Sequence, residues 1–459
     1  MRFLISVLLF GFSLLPFALC CQIQAQNDRP NIIFILTDDQ RWDALGHSGN
    51  AIIKTPNMDR LAVDGTYFKN AFVTTPICAA SRASIMTGLY ERKHDYTFRQ
   101  PPLKTRFIAQ TYFTLLKSAG YHNGFFGKFG VNFENQQDSL LFDVYRPKQQ
   151  GGYFRLNENG TQQRHLTDVM ADEAIGFIKN APNDRPFALS LSFHAPHAVD
   201  SSPYQYFWPV ALDSLYQDIA IPDPLMDGTS DFNKLPEAVR EGFNRARWRW
   251  RYDTPEKYQN MVKGYYRMIS GIDAALGRIR KTLENQGIDK NTVIILMGDN
   301  GYFMGERQLA GKWLMYEPSL RVPLIIYNPK EKGGMTVDDM VLNIDVPSTI
   351  LDFAKVDIPK TYQGQSLKEY TKTNGRHPKK RKELLFEHLW NFEPIPASEG
   401  VRTDKYKYFR YRDDPNWEEL YDLENDPNEM HNLVNSKDYR KVLQELRQKC
   451  DTLIKKVSK

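Results

Sequence analysis

The sequence predicts a layered α/β fold followed by a smaller α+β subdomain near its C-terminal end. Three observations carry this. Short, branched apolar runs at residues 31–37, 186–193, 292–297 and 322–327 have the unbroken hydrophobicity of strands buried on both faces. Tyr265, Met268, Ile269, Ile272, Ala275, Leu276, Ile279 and Leu283 recur on one helical face. From about residue 365 the texture shifts to aromatic and charged alternation. Buried strands alternating with amphipathic helices make a sheet covered by helices, and 459 residues exceed what one core usually spans.

In chain order, residues 1–25 read as an export signal. Arg2 precedes a mostly apolar run from Phe3 to Leu19, a polar stretch follows, and Ala25 is the expected cleavage point. The run is short for a membrane span and no second one follows, so the expectation is a soluble, periplasmic or secreted protein without a membrane span. Cys20 and Cys21 would allow a lipid anchor, but Phe17 and Leu19 fit such a signal poorly. Of four cysteines only Cys78 and Cys450 remain in the mature chain, too few for a disulfide framework. Asn159-Gly160-Thr161 is a sequon, of use only in a eukaryotic secretory pathway. Residues 26–370 are expected to form the main domain and 371–459 the smaller one. In the latter, the basic stretch Lys379 to Lys382 marks a turn, 383–388 and 400–411 are strand-like, and 439–456 is a terminal helix. The formal charge of +5 gives no warrant for nucleic-acid binding but suits an anionic substrate.

The strand ends carry the chemistry. The first run ends in Asp38-Asp39, the second in His194-Ala-Pro-His197, the third in Gly298-Asp299-Asn300. Ligands of such sheets bind beyond the carboxyl ends of the strands, so Asp38, Asp39, Asp299, Asn300 and His197 are expected to converge. Hard oxygen ligands favour calcium, with magnesium second, and no cysteine–histidine spacing resembles a zinc site. Cys78 is expected at a helix N-terminus with Arg82 on the same face, an arrangement that suits an anion. On its own the Cys78 motif fits a buried structural thiol equally well. Lys128 and Lys312 each follow a glycine. The stretch 201–260 is a long connection rich in tryptophan and arginine, with Trp208, Trp248, Trp250, Arg245, Arg247, Arg249 and Arg251. It reads either as a substrate-facing segment or as a solvated helix with aromatic anchors.

Taken together, Cys78-Ala-Ala-Ser-Arg82-Ala-Ser-Ile-Met-Thr87-Gly88 resembles the signature of the formylglycine-dependent (type I) sulfatases of the alkaline phosphatase superfamily. The resemblance extends over Asn31 to Asp39, Gly127-Lys128, Pro196-His197, Gly298 to Gly301, Gly305-Glu306 to Lys312, Tyr316 to Arg321 and Glu419 to Pro427, in the family's order. It implies a large mixed sheet sandwiched by helices, alkaline phosphatase-like, and an antiparallel sheet in the smaller subdomain. It implies oxidation of Cys78 to formylglycine (3-oxoalanine) by a maturation enzyme. Calcium would be held by Asp38, Asp39, the modified Cys78, Asp299 and Asn300. One hydroxyl of the hydrated aldehyde would attack sulfur to give a covalent sulfoenzyme, and the other would release sulfate. Arg82, Lys128 and Lys312 would neutralise the sulfate oxygens, with His197 as the first candidate proton donor and Lys312 beside it.

One departure stands out. The family often carries a histidine two residues after the first lysine, where this chain has Gly130. His94 and His194 are the candidate substitutes, although each also reads as an ordinary structural histidine. The expected substrate is a sulfated carbohydrate derived from a glycosaminoglycan, with N-acetylglucosamine 6-sulfate placed ahead of a uronate 2-sulfate; algal and mucin glycans remain alternatives. Arg307, Gln308, Trp313, Trp390 and the 245–251 cluster are candidate contacts, because aromatic faces stack on sugars and arginines bind anions. Two other functions compete: hydrolysis of a phosphodiester or phosphonate monoester, and non-catalytic binding of a sulfated glycan.

Overall fold

Strand β1 (Asn31–Thr37) is buried along its whole length. Its side chains alternate between two cores: Ile32, Phe34 and Leu36 enter one, Ile33 and Ile35 the other. This is why the run is apolar without alternation: both faces are covered. The computed structural model describes residues 29–459 apart from 99, 136–137, 149–151, 157–162, 373–379, 391 and 415–416. The expected export signal, Cys20, Cys21, the sequon at Asn159 and Lys379 lie outside the described residues.

With β2 (Thr66–Phe68), β3 (His122–Gly127), β4 (Val144–Pro147), β5 (Phe187–Ser192), β6 (Thr292–Gly298), β7 (Leu324–Tyr327) and β8 (Met335–Val337), β1 builds an eight-stranded sheet in the order β8-β2-β7-β6-β1-β5-β3-β4. Only β7 runs antiparallel to its neighbours β6 and β2, which makes the sheet mixed. β7 starts two residues later than the sequence suggests, because Pro323 has no N–H for the ladder.

The helices that matter here are α1 (Pro56–Asp64), α2 (Cys78–Thr87), α3 (Leu166–Lys179), α4 (Phe243–Arg251), α5 (Pro255–Asn285) and α6 (Arg440–Ser458). Helices α1, α3 and α5 cover the Ile33 face through Leu61, Met170, Phe177, Met268 and Ile272. Helix α2 covers the other face and is buried at all ten positions, which explains why it lacks an amphipathic pattern. It stops at Gly88, whose φ of 69° forms the left-handed cap.

The C-terminal part is a four-stranded antiparallel meander of β9 (Glu383–His388), β10 (Ser398–Thr403), β11 (Tyr406–Tyr411) and β12 (Glu418–Asp422). The segment 400–411 is thus a hairpin of two strands. Helix α6 lays Leu443, Leu446, Cys450 and Val457 into the core that also takes Leu385, Val401, Tyr408 and Ile32. No helix among the described residues is long and apolar enough to cross a membrane.

Candidate active site

The register of the sheet assembles the site. Thr37 of β1 lies opposite Gly298 of β6, so Asp38-Asp39 and Asp299-Asn300 leave the sheet side by side. On the other flank Leu36 pairs with Ser192, and Ser192 with Gly127, so His194, His197 and Lys128 emerge from the same edge. Gly127 has a φ of 98°, and a Cβ there would stand 2.1 Å from the Ser192 carbonyl oxygen. Only glycine permits this close approach, and the Lys128 N–H uses it to donate to Ser192 O at 2.8 Å.

Cys78 opens α2 and is 7 % exposed. Arg82, one turn further, is fully buried and ties three strand ends together. Its Nε donates to Asp299 Oδ2 at 2.9 Å, and its Nη1 to the Lys128 carbonyl at 2.7 Å and to Ser192 Oγ. Lys128 Nζ pairs with Asp38, and Lys312 Nζ with Asp39. Arg82, Lys128 and Lys312 all lie within electrostatic reach of the Cys78 sulfur. Burial alone would raise the Asp38 carboxyl; Lys128, with His197, Lys312 and Arg82, outweighs it and holds Asp38 far below the usual carboxylate range. Burial disfavours the Lys312 ammonium, but Asp39 reverses this and raises it above an ordinary lysine.

Lys312 rides on a contorted loop. Gly305, Arg307, Gln308, Gly311 and Trp313 all have positive φ, with Trp313 at 86°. A bulky residue rarely adopts that conformation, and such strain gathers at functional sites. Asp39 too is left-handed, at 68°, and its main chain is clamped: its N–H donates to Asp299 Oδ1 at 3.1 Å and its carbonyl accepts from Tyr265 OH at 2.7 Å.

The acids suit a hard cation. Asp38 Oδ1, Asp39 Oδ2 and Asn300 Oδ1 are buried without a hydrogen-bond partner, an expensive state that a cation would relieve. Asp38, Asp39 and His197 each bring one ligand atom within 4.8 Å of the others. The Asp299 oxygens, also expected among the ligands, accept from Arg82 and from the Asp39 N–H. Asn300 Nδ2 donates to Asp39 Oδ1 at 2.6 Å, leaving its own oxygen free.

His197 Nδ1 donates to the Ala198 carbonyl at 2.6 Å, and Nε2 stands 3.7 Å from Asp39 Oδ2. Burial pushes its pKa down to about 4, against the pull of Asp39. His194 is 4 % exposed and neighbours Lys128, Asp38, Arg82 and His197. His94 lies behind α2: its Nε2 meets Ser84 Oγ at 3.0 Å and its Nδ1 accepts from the Tyr96 N–H at 3.1 Å. Protein groups engage both its ring nitrogens. At Gly130, φ is 74° and a Cβ would stand 2.8 Å from Arg82 Cδ, so Arg82 fills the space where a side chain would begin.

The remaining candidates hold the scaffold around the site. Arg307 is buried, lies over the Tyr316 ring and donates to the Glu429 carbonyl. Gln308 accepts from Arg245 at 2.8 Å and donates to Asp227 O at 2.7 Å. Trp313 is buried under Arg247 and beside Phe243. On α4, Arg247 and Arg251 grip Asp200, and Arg245 lies over Trp248 and Phe232. Trp208 donates to Asp213 at 2.6 Å and lies under Arg267, while Trp250 is 40 % exposed. Trp390 stacks on Phe392 at 4.5 Å and 6°.

Three site residues escape sequence reading. Ser192, the Arg82 acceptor, sits at a strand end and was open to the same rule that picks out Asp38. Tyr153, whose hydroxyl donates to His194 O and His197 O, and Tyr265 carry no local signal, because their partners are distant in sequence.

Residues 30–356 match the sulfatase family model, and residues 305–456 match the model of the N-sulphoglucosamine sulphohydrolase C-terminal region. The chain is 28 % identical to an N-acetylglucosamine-6-O-sulfatase of Bacteroides thetaiotaomicron, over 96 % of this chain and 89 % of the relative. It is 30 % identical to an arylsulfatase of Clostridium perfringens, over 91 % and 93 %. A solved structure in complex with its substrate D-glucosamine-2-N,6-O-disulfate superposes with a TM-score of 0.80 at 27 % identity, covering 94 % of this chain and 98 % of that one.

Proposed function

The chain belongs to the sulfatase family and is a sulfuric ester hydrolase, and we propose that it is an exported enzyme that desulfates a glycosaminoglycan-derived sugar through calcium and a formylglycine made from Cys78. N-acetylglucosamine 6-sulfate is the leading substrate class. The observation that carries the reading is the set of unpartnered oxygens on Asp38, Asp39 and Asn300, facing Lys128 and Lys312 beside Cys78. The relative named as an N-acetylglucosamine-6-O-sulfatase and the structure bound to a glucosamine disulfate support the sugar.

In this reading Asp38, Asp39 and Asn300, with Asp299 and the modified Cys78 completing the expected set, would hold the calcium, which would supply Lewis-acid polarisation of the sulfate. At position 78 the hydrated formylglycine would supply the nucleophilic hydroxyl. The protein does the rest. Arg82 is fixed by Asp299, Ser192 and the Lys128 carbonyl, so its charge is in place before the substrate arrives. Lys128 and Lys312 stay protonated under Asp38 and Asp39 and neutralise the sulfate oxygens. The bridging oxygen needs a proton to leave as an alcohol, and His197, oriented through Nδ1 by Ala198, is the proposed donor from Nε2 in its doubly protonated form, which burial disfavours and Asp39 favours.

The sugar rings would lie on an aromatic ledge. Phe98 lies tilted against Trp390, which stacks on Phe392, and Phe98 and Trp390 pack against the small apolar cluster that includes Ile77 and Ala80, on either side of Cys78 in sequence. Peptide mass spectrometry of Cys78 from the native host tests the nucleophile, with loss of the thiol in favour of an aldehyde as the expected result. An unmodified thiol in fully active protein overturns the mechanism. Turnover of matched sulfate, phosphate monoester and phosphodiester substrates tests the reaction class, and preference for a phosphorus ester overturns that.

A further inference from the structure

His194 is an uncommitted side chain of the site. It follows β5, and its backbone is clamped: the His194 carbonyl accepts from Tyr153 OH at 2.9 Å and from the His197 N–H at 3.0 Å. The ring is 4 % exposed, yet neither Nδ1 nor Nε2 has a hydrogen-bond partner. A buried imidazole left in that state is costly. An apolar residue would avoid the cost, so the unmet donor and acceptor point to a ligand.

The surroundings say what kind. Lys128, Arg82, His197 and Asp38 all lie within electrostatic reach of the ring. The cations draw an anion to this place. Lys128 pairs with Asp38, and Arg82 donates to Asp299, Ser192 and the Lys128 carbonyl. In either protonation state an imidazole carries at least one N–H to give.

We propose that His194 donates a hydrogen bond from its ring N–H to a non-bridging oxygen of the sulfate group. The assignment rests on the sulfatase reading above, and it makes His194 a substrate-touching residue beside Lys128. Because sulfate oxygens gain charge as the ester breaks, the contact strengthens towards the transition state and acts on kcat more than on KM.

The test uses the full mature chain and three variants: His194→Ala, His194→Leu and His194→Asn. Kinetics on an aryl sulfate and calorimetric binding of inorganic sulfate are the two readouts. Alanine and leucine are expected to lower kcat by roughly 10- to 100-fold and to weaken sulfate binding, with little change in KM. Asparagine supplies an N–H of similar reach and is expected to restore part of both. The proposal falls if alanine or leucine keeps wild-type kcat and sulfate affinity, or if a folded asparagine variant is no better than leucine. The sulfate-binding arm decides the matter without turnover. A wild type that binds sulfate through His194 but hydrolyses no sulfate ester would overturn the functional reading and leave this contact standing.

Discussion

Arg82 shows how much one side chain can organise. It is the fourth residue after Cys78 on a fully buried helix, and its guanidinium reaches Asp299, Ser192 and the Lys128 carbonyl, which leave the sheet from three different strands. The fork geometry of arginine makes this joint, and the compact ammonium of a lysine lacks the planar spread that spans the three contacts. Arg82→Lys is therefore expected to fold but to lose roughly 10²-fold or more in kcat on an aryl sulfate. Activity within a few-fold of wild type would show that the joint is not needed for catalysis. The unpartnered oxygens of Asp38, Asp39 and Asn300 make a second claim at this scale. Chelation is expected to abolish turnover and lower the melting temperature, and added calcium to restore both. A ligand present at 100 times its dissociation constant adds about 2.7 kcal/mol to stability, so the shift is large enough to read by calorimetry. Asn300→Ala should blunt the calcium response. If neither calcium nor magnesium moves the melting curve, the metal assignment fails.

Among the elements, strands were legible and polar joints were not. The run at 31–37 announces itself because a strand covered on both faces must be apolar throughout, and β1 has those bounds in the structure. The convergence of Asp38, Asp39, Asp299, Asn300 and His197 followed from strand polarity alone. The fate of the 245–251 arginines did not. Arg247 and Arg251 are buried partners of Asp200, a pairing about fifty residues apart that no local pattern encodes. The same holds for Arg307, which reads as a cleft residue but grips the C-terminal part through Glu429. Trp390 differs, because it lies in an aromatic series with Phe98 and with Phe392, which is 37 % exposed. Trp390→Ala is expected to cut kcat/KM on a sulfated oligosaccharide by roughly 10-fold, the scale of one lost aromatic contact. Its activity on a small aryl sulfate should be unchanged. Equal losses on both substrates would mean that the ledge supports the site and does not bind sugar.

The molecule as a whole binds its C-terminal meander to the catalytic sheet through buried charge as well as shared apolar core. Glu317, just beyond the Lys312 loop, accepts from Arg402 at 2.9 Å and pairs with Lys407 at 3.1 Å, and Lys407 reaches Glu429 at 2.7 Å. Breaking such a buried set is costly, so the loop carrying Lys312 depends on a sheet formed about ninety residues later. Buried histidines add a pH dependence to that assembly. His94 behind α2 and His388 at the end of β9 are both pushed down to about 3 by burial. In the unfolded chain each would titrate near 6.5. Between those values the unfolded state binds protons that the folded state refuses, so stability falls as pH drops below about 6.5 and goes on falling towards 3. At pH 5 each histidine is expected to remove roughly 2 kcal/mol. Urea denaturation at pH 7, 6 and 5 should show this loss, and the double variant His94→Asn/His388→Gln should flatten it. Neither residue touches the acids of the site, so the flattening should appear with the catalytic residues intact. An unchanged pH slope in the double variant would place the acid sensitivity elsewhere.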